Sequence, residues 1–108
     1  MEQSQEEPLL HVSVSNQSLS QTIAELVISL DGEQIFRREM RTGTQHTWEE
    51  TMIPVVRGRH TLVISEARTK SRKEQEINLD RELWIIVMFY SPPPRIQVEI
   101  LDRPVGFM

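Results

Sequence analysis

Hydrophobic and polar residues alternate along most of this chain, beginning with the segments Leu9 to Ser15 and Thr22 to Leu30. Successive side chains of a β-strand point to opposite faces, so a period of two is typical of a strand with one buried face. Further segments of this kind follow at a spacing of roughly ten residues, up to Arg95 to Leu101. The pattern predicts about seven or eight short strands, and it favours a strand over a helix around residues 18–26.

Residues that favour turns separate these strands. Asp31 and Gly32 stand between two strand-like segments, and the Asp-Gly dipeptide is a strong signal for a tight hairpin. Gly58 lies between two arginines just before another strand, where glycine can adopt a positive φ without steric cost. His60 begins that strand, and its ring can cap a backbone group or pack on a neighbour. We interpret these four residues as structural parts of turns and not as a catalytic or metal site.

The segment from Leu83 to Tyr90 is apolar at every position. As a strand it has one face with Leu83, Ile85, Val87 and Phe89, and a second face with Trp84, Ile86, Met88 and Tyr90. A two-layer sandwich covers only one face of a strand, and contiguous apolar patches are rarely left to water. The second face is therefore the predicted interaction face. Its cover is the C-terminal tail with Phe107 and Met108, a second subunit, or a glycan stacked on the aromatic rings.

The length and the strand pattern together define the domain organisation. A chain of 108 residues is the size of one domain. We predict a flexible polar arm over residues 1–8 and a single domain over residues 9–108. Short strands at even spacing, with turn signals between them, are typical of antiparallel sandwiches and barrels.

The Asp-Gly turn and a later Gly-x-His-x-Leu-x-Ile hairpin carry a resemblance to a known type of domain. The residues concerned are Asp31, Gly32, Gly58, His60, Leu62 and Ile64. In this layout, over about residues 24–90, the chain resembles PEGA-type and related immunoglobulin-like domains, although their Pro-Glu-Gly-Ala segment, their Thr-Pro and their Gly-Tyr have no counterpart here. The resemblance implies an all-β, antiparallel immunoglobulin-like β-sandwich that serves as a surface or interaction module and has no catalytic residues to carry over.

Composition narrows the classes of partner. The formal net charge of −4 argues against nonspecific nucleic-acid binding, which needs a positive field. The absence of cysteine excludes disulfides and thiolate metal sites. The longest apolar run, residues 83–90, is far shorter than the roughly 20 residues of a membrane-spanning helix, so we expect no membrane insertion. The compartment stays open: cytoplasmic if the chain is complete, exported or at the cell surface if a signal segment was removed.

Candidate chemistry is sparse along the chain. His11, His46 and His60 are dispersed, and no nucleophile elbow or phosphate-binding glycine loop is present. We therefore expect no enzyme activity, no cofactor and no metal. The basic run of Arg68, Lys70, Arg72 and Lys73 is either an anion site or, in our interpretation, a solvated connection that also discourages edge pairing.

The predicted function is a non-catalytic interaction or assembly module that binds a protein partner or a second copy of itself. The alternative is a carbohydrate-binding module that uses exposed aromatic rings. Coplanar, exposed rings favour the glycan, whereas rings covered by protein favour the interaction module.

Overall fold

The structure is a computed structural model that describes residues 7–18, 23–41 and 48–104. These residues form eight β-strands and contain no helix. The strands are β1 (Leu9–Asn16), β2 (Ile23–Leu30), β3 (Glu33–Arg41), β4 (Glu49–Pro54), β5 (Gly58–Glu66), β6 (Ser71–Leu79), β7 (Leu83–Tyr90) and β8 (Arg95–Leu101). The period of two in the sequence therefore identified the type of secondary structure correctly, and the all-β class is confirmed.

The strands pair into two four-stranded sheets that face each other as a sandwich. Sheet A has the order β4-β1-β7-β8, and sheet B has the order β3-β2-β5-β6. Every pairing in sheet B is antiparallel. In sheet A, however, β1 runs parallel to β7. The prediction of a purely antiparallel fold is wrong at this pairing. Alternation reports which face of a strand is buried, but it does not report the direction of a partner some seventy residues away in the chain.

The hydrophobic core lies between the two sheets. It is built from the alternating inner side chains of the central strands. These are Leu10, Val12 and Val14 on β1, Ala24, Leu26 and Ile28 on β2, Leu62 and Ile64 on β5, and Ile85, Val87 and Phe89 on β7. Burial of each large aliphatic or aromatic side chain contributes roughly 1.5–3 kcal/mol relative to leaving it in water. Because side chains alternate along a strand, the burial of Ile85, Val87 and Phe89 in this core places the other residues of β7 on the outer face of sheet A.

The boundaries of β6 differ from the prediction. The sequence predicts one connection over the basic run from Arg68 to Lys73, but the turn occupies only residues 67–70, and Arg72 and Lys73 belong to β6. Pairing with β5 extends the strand, because Ser71 lies opposite Glu66 and Lys73 opposite Ile64. Charged residues can enter this strand because it is at the edge of sheet B. Most of the predicted arm, residues 1–6, lies outside the described residues.

Candidate interaction face

Four side chains of β7 form an apolar stripe on the outer face of sheet A. They are Trp84, Ile86, Met88 and Tyr90, and we refer to them as the outer stripe. Their neighbours along the strand, such as Phe89 and Val87, point into the core and are fully buried. Among the described residues, the core cluster between the sheets includes none of the four. Ile86 is only 6% exposed, whereas the other three are partly exposed. The structure thus brings the four predicted residues together on one surface.

At one end of the outer stripe, Trp84 lies beside His11 of β1. The two rings stack with their centroids 4.6 Å apart and an angle of 8° between their planes. The His11 Nε2 atom lies 2.5 Å from the Glu82 carboxylate, just before β7 begins. This pair places the imidazole against the indole, so one face of Trp84 is already covered by a residue of the same sheet. No sequence pattern indicates this contact, because it joins strands that are distant in the chain.

At the other end of the outer stripe, Tyr90 lies opposite Arg95 of β8. The guanidinium carbon of Arg95 is 4.4 Å from the centre of the tyrosine ring, a cation–π contact. The Tyr90 hydroxyl donates to the Met88 Sδ atom at 3.4 Å. A rise of about 3.3 Å per residue puts the two aromatic ends of the stripe roughly 20 Å apart, with aliphatic side chains between them.

A cleft of about 310 Å³ adjoins the Trp84 end of the outer stripe. His11, Glu50, Met52, Trp84 and Pro104 contribute to its walls. Met52 is 56% exposed and widens the apolar surface toward the edge strand β4. Pro104, the last described residue, lines this cleft, so residues 102–104 after β8 lie beside the outer face of sheet A. The predicted lid residues, Phe107 and Met108, lie outside the described residues.

Apart from the outer stripe, a cluster of polar side chains lies at one end of the sandwich, around His60. Asp31 and Gly32 form the turn between β2 and β3 with φ of 53° and 86°, and Gly58 has a φ of 129°. The His60 Nδ1 atom is 2.5 Å from Asp31 Oδ2, and its Nε2 atom is 2.6 Å from the Val56 carbonyl oxygen. These contacts hold the β2–β3 turn and the segment before β5 together.

The protonation of the His60 cluster follows from these contacts. Both ring nitrogens face acceptors, so only the protonated ring can donate to both. The hydrogen bond to Asp31 raises the pKa of His60 against the opposing effect of burial, and the Val56 carbonyl adds to the rise. The same hydrogen bond, with that from the Thr61 backbone N–H, lowers the pKa of Asp31. Because both ring nitrogens are hydrogen-bonded, His60 links the β2–β3 turn to the segment before β5 and has no free nitrogen for a substrate or metal.

Glu66 is a buried charged residue that sequence reasoning missed. Its side chain is fully buried at the end of β5 and accepts hydrogen bonds from the backbone N–H groups of Thr69 at 2.7 Å and Glu25 at 2.8 Å. Burial alone raises the pKa of Glu66, but these backbone donors and the Thr69 hydroxyl outweigh it and hold the pKa below its usual range. The available signal was its position, two residues after Ile64 on the inner face and directly before a turn.

The residues described in the structure include no group of three or more histidine, cysteine or carboxylate side chains arranged to hold a metal ion. Of the three histidines, His11 and His60 belong to different sheets, and His46 lies outside the described residues. Within the same described ranges, no helix is long and apolar enough to cross a membrane.

Comparison with known proteins adds no family to this picture. No model of a protein family matches the chain, and no curated protein gives a significant match. The fold and the outer stripe therefore define the class: an all-β, two-sheet domain with an apolar surface on one sheet.

Proposed function

We propose that this domain is a non-catalytic interaction or assembly module of the immunoglobulin-like, PEGA-related kind, and that it associates through the outer stripe. The observation that carries the proposal is the placement of Trp84, Ile86, Met88 and Tyr90 on β7, one of the two central strands of sheet A, outside the core. Aromatic residues and methionine are enriched in the buried centres of protein interfaces. Two aromatic ends with aliphatic residues between them provide such a centre.

The arrangement of the aromatic rings supports an interface. Trp84 is held by its stack on His11, and Tyr90 is held by Arg95. Side chains that are already ordered lose less conformational entropy when a partner covers them. The outer stripe is therefore preorganised for association at both ends.

The titratable groups support a role without catalysis. Among the titratable groups of residues 7–18, 23–41 and 48–104, those whose pKa values shift are Asp31, His60 and Glu66. Shifted pKa values often mark active sites. Here each of the three side chains is hydrogen-bonded to backbone atoms at the end of a strand or in a turn. Their shifts are explained by closure of these turns.

A carbohydrate-binding module is the second candidate, and the cleft beside Trp84 favours it. A partly exposed indole next to polar groups such as Glu50 can stack on a sugar ring and hydrogen-bond to its hydroxyls. His11 already covers one face of that indole, however. Tyr90 is also roughly 20 Å away along the strand, too far to share one sugar ring with Trp84. We therefore place protein association first.

Light scattering after size-exclusion chromatography, over a concentration series of the full chain, tests the proposal. We expect a concentration-dependent dimer that Met88→Glu disrupts. Val63→Glu is the matched control, because Val63 is a partly exposed residue on the outer face of sheet B. Circular dichroism of each variant verifies folding. A Met88→Glu variant that associates like the wild type overturns the proposal, and a chain that remains monomeric throughout overturns its self-association form.

The same preparations separate the two candidates. Titration with cellohexaose and maltohexaose, followed by tryptophan fluorescence of the wild type and of Trp48→Phe, detects a sugar stacked on Trp84. Saturable quenching by either oligosaccharide in a monomeric chain would favour the carbohydrate-binding module over association.

A further inference from the structure

The strand β8 is an edge of sheet A, and β6, the edge strand of sheet B, lies close to it on the same side of the sandwich. β8 pairs with β7 on one side, and no described strand pairs with it on the other. An open edge presents a row of backbone donors and acceptors to which another strand can add. Proteins usually protect such edges with proline, lysine, bulges or charges that point inward.

The other three edges carry such protection. β4 has six residues, begins with two glutamates and ends at Pro54. β3 pairs with β2 through an irregular register at Ile28 and Ser29. β6 carries charges along its centre, and pairing it with a copy of itself around its middle brings Glu74 opposite Glu74 or Glu76.

By contrast, β8 lacks these devices. Its seven residues, Arg95–Leu101, include neither proline nor lysine, and its inner positions are the aliphatic residues Ile96, Val98 and Ile100. Ile100 is 39% exposed although it lies on the core side of the strand.

The sequence of β8 is complementary to itself in the antiparallel direction. Pairing around Gln97 puts Arg95 opposite Glu99 of a second copy, and Ile96 opposite Val98. Each position then meets a residue of suitable character on the same face of the sheet, and opposite charges directly across a strand pair are stabilising. A two-fold axis through Gln97 repeats both charge pairs, as a symmetric dimer requires.

The two charged residues that this pairing requires, Arg95 and Glu99, are not engaged in ion pairs within the described part of the chain. Among the ion pairs of the described residues, none involves Arg95 or Glu99, and Glu99 has only a 3.3 Å hydrogen bond from Gln97. The guanidinium carbon of Arg95 lies 4.4 Å from the centre of the Tyr90 ring, and a guanidinium that contacts an aromatic ring can still donate its N–H groups to a carboxylate. On β3, by contrast, Arg37 and Glu39 are already paired with Glu25 and Arg68. Pairing β3 with its own copy around Arg38 would also place Arg38 against Arg38.

We infer that two copies of this chain associate edge to edge through antiparallel β8 strands centred on Gln97, forming one continuous eight-stranded sheet. The inference goes beyond the proposed function, since it names a second copy as the partner and places the contact at the edge of sheet A, beside the outer stripe. The outer face would then carry the row Tyr90, Arg95, Glu99 of the partner copy and Ile86 of the partner copy. Three strand spacings of about 4.8 Å put the two outer stripes roughly 14 Å apart on one surface.

Charge reversal at this edge tests the inference with an internal control. Arg95→Glu alone places two glutamates opposite each other, and Glu99→Arg alone places two arginines opposite each other. Each single variant should weaken the dimer about tenfold or more. An equimolar mixture of the two variants should restore a dimer, because one chain then carries two acidic residues and the other two basic residues. The double variant with both changes should dimerise with itself. Light scattering and circular dichroism on full chains measure mass and folding.

The outcomes separate this inference from the proposed function. A wild-type dimer that Met88→Glu disrupts, but that neither single charge reversal weakens, overturns the β8 pairing and leaves the outer stripe as the interface. A dimer that follows the charge pattern while Met88→Glu has no effect supports the β8 pairing and removes the outer stripe. A wild type that remains monomeric overturns the β8 pairing and also self-association through the outer stripe.

Discussion

Asp31 binds the ring of His60 across one end of the sandwich, with 2.5 Å between the Oδ2 and Nδ1 atoms. The same carboxylate accepts a hydrogen bond from the Thr61 backbone N–H at 2.9 Å, and the Asp31 N–H donates to the Thr61 carbonyl at 2.9 Å. Since the other nitrogen of the ring contacts the Val56 carbonyl, one ion pair joins the β2–β3 turn to the segment that leads into β5.

This pair predicts a defined pH window for stability. The raised pKa of His60 means that its contribution is full below about pH 6.5 and is lost as the pH rises through the folded-state value. The lowered pKa of Asp31 means that its contribution is present above about pH 3.8 and is lost as the pH falls through the folded-state value. Asp31→Asn should therefore reduce the free energy of unfolding more at pH 5.5 than at pH 9, as measured by urea denaturation.

Asp31→Asn suits this test because asparagine tolerates the positive φ of 53° at this position. Asp80→Asn, in the turn between β6 and β7, provides the control with the same chemical change at an exposed site. A difference between wild type and Asp31→Asn that is the same at both pH values would contradict the ion pair.

Glu66 predicts a loss of stability at acidic pH. Because the pKa of this buried carboxyl is lowered, its contribution is present above about pH 4.5 and is lost as the pH falls through the folded-state value. Glu66→Gln replaces one carboxylate oxygen, an acceptor, with an amide NH2 group, a donor. This amide group would face the backbone N–H of Glu25 or Thr69, so one hydrogen bond is lost. We expect a loss of about 1–3 kcal/mol in the free energy of unfolding at pH 7.

Glu76→Gln on β6 makes the same substitution at an exposed position and should change the free energy of unfolding by less than about 0.5 kcal/mol. Equal stability of the two variants at pH 7 would show that the hydrogen bonds of Glu66 do not hold the hairpin.

The local features of this fold were predictable, because they depend on neighbouring residues. The two faces of β7 follow from side-chain alternation, and Asp31 and Gly32 occupy a turn because few residues adopt a positive φ easily. Long-range features were not predictable in this way. The parallel pairing of β1 with β7 and the stack of His11 on Trp84 depend on how distant segments are arranged, which the period of two does not encode.

The candidate interaction face also has features that could be predicted from local sequence and features that could not. The outer stripe could be proposed because it lies within one strand. Contacts such as that of Arg95 with Tyr90 require the register of β7 with β8. Glu66 was overlooked because a carboxylate at the end of a strand is usually exposed, and its backbone donors come from two other segments.

Gly58 should tolerate substitution poorly for conformational reasons alone. A Cβ atom at this position would meet no atom within 4 Å, so steric contact is not the cause. The φ of 129° lies where side chains are rarely found. We expect Gly58→Ala to cost about 1–3 kcal/mol in the free energy of unfolding, whereas Gly32→Asn, at a φ of 86° in the β2–β3 turn, should cost less. Thermal and urea denaturation of both variants measure this order, and its reversal would contradict it.

Phe89 and Tyr90 are adjacent on β7 but point to opposite faces of sheet A, and this pair tests what covers the outer stripe. Phe89 is fully buried in the core, so Phe89→Ala should cost about 3–5 kcal/mol in the free energy of unfolding. Tyr90 is partly exposed and packs on Arg95, so Tyr90→Ala should cost less than about 1.5 kcal/mol in a dilute, monomeric sample. If both substitutions cost the same, the outer face is covered within one chain and acts as a second core. A large difference leaves the outer stripe available to a second molecule, as association requires.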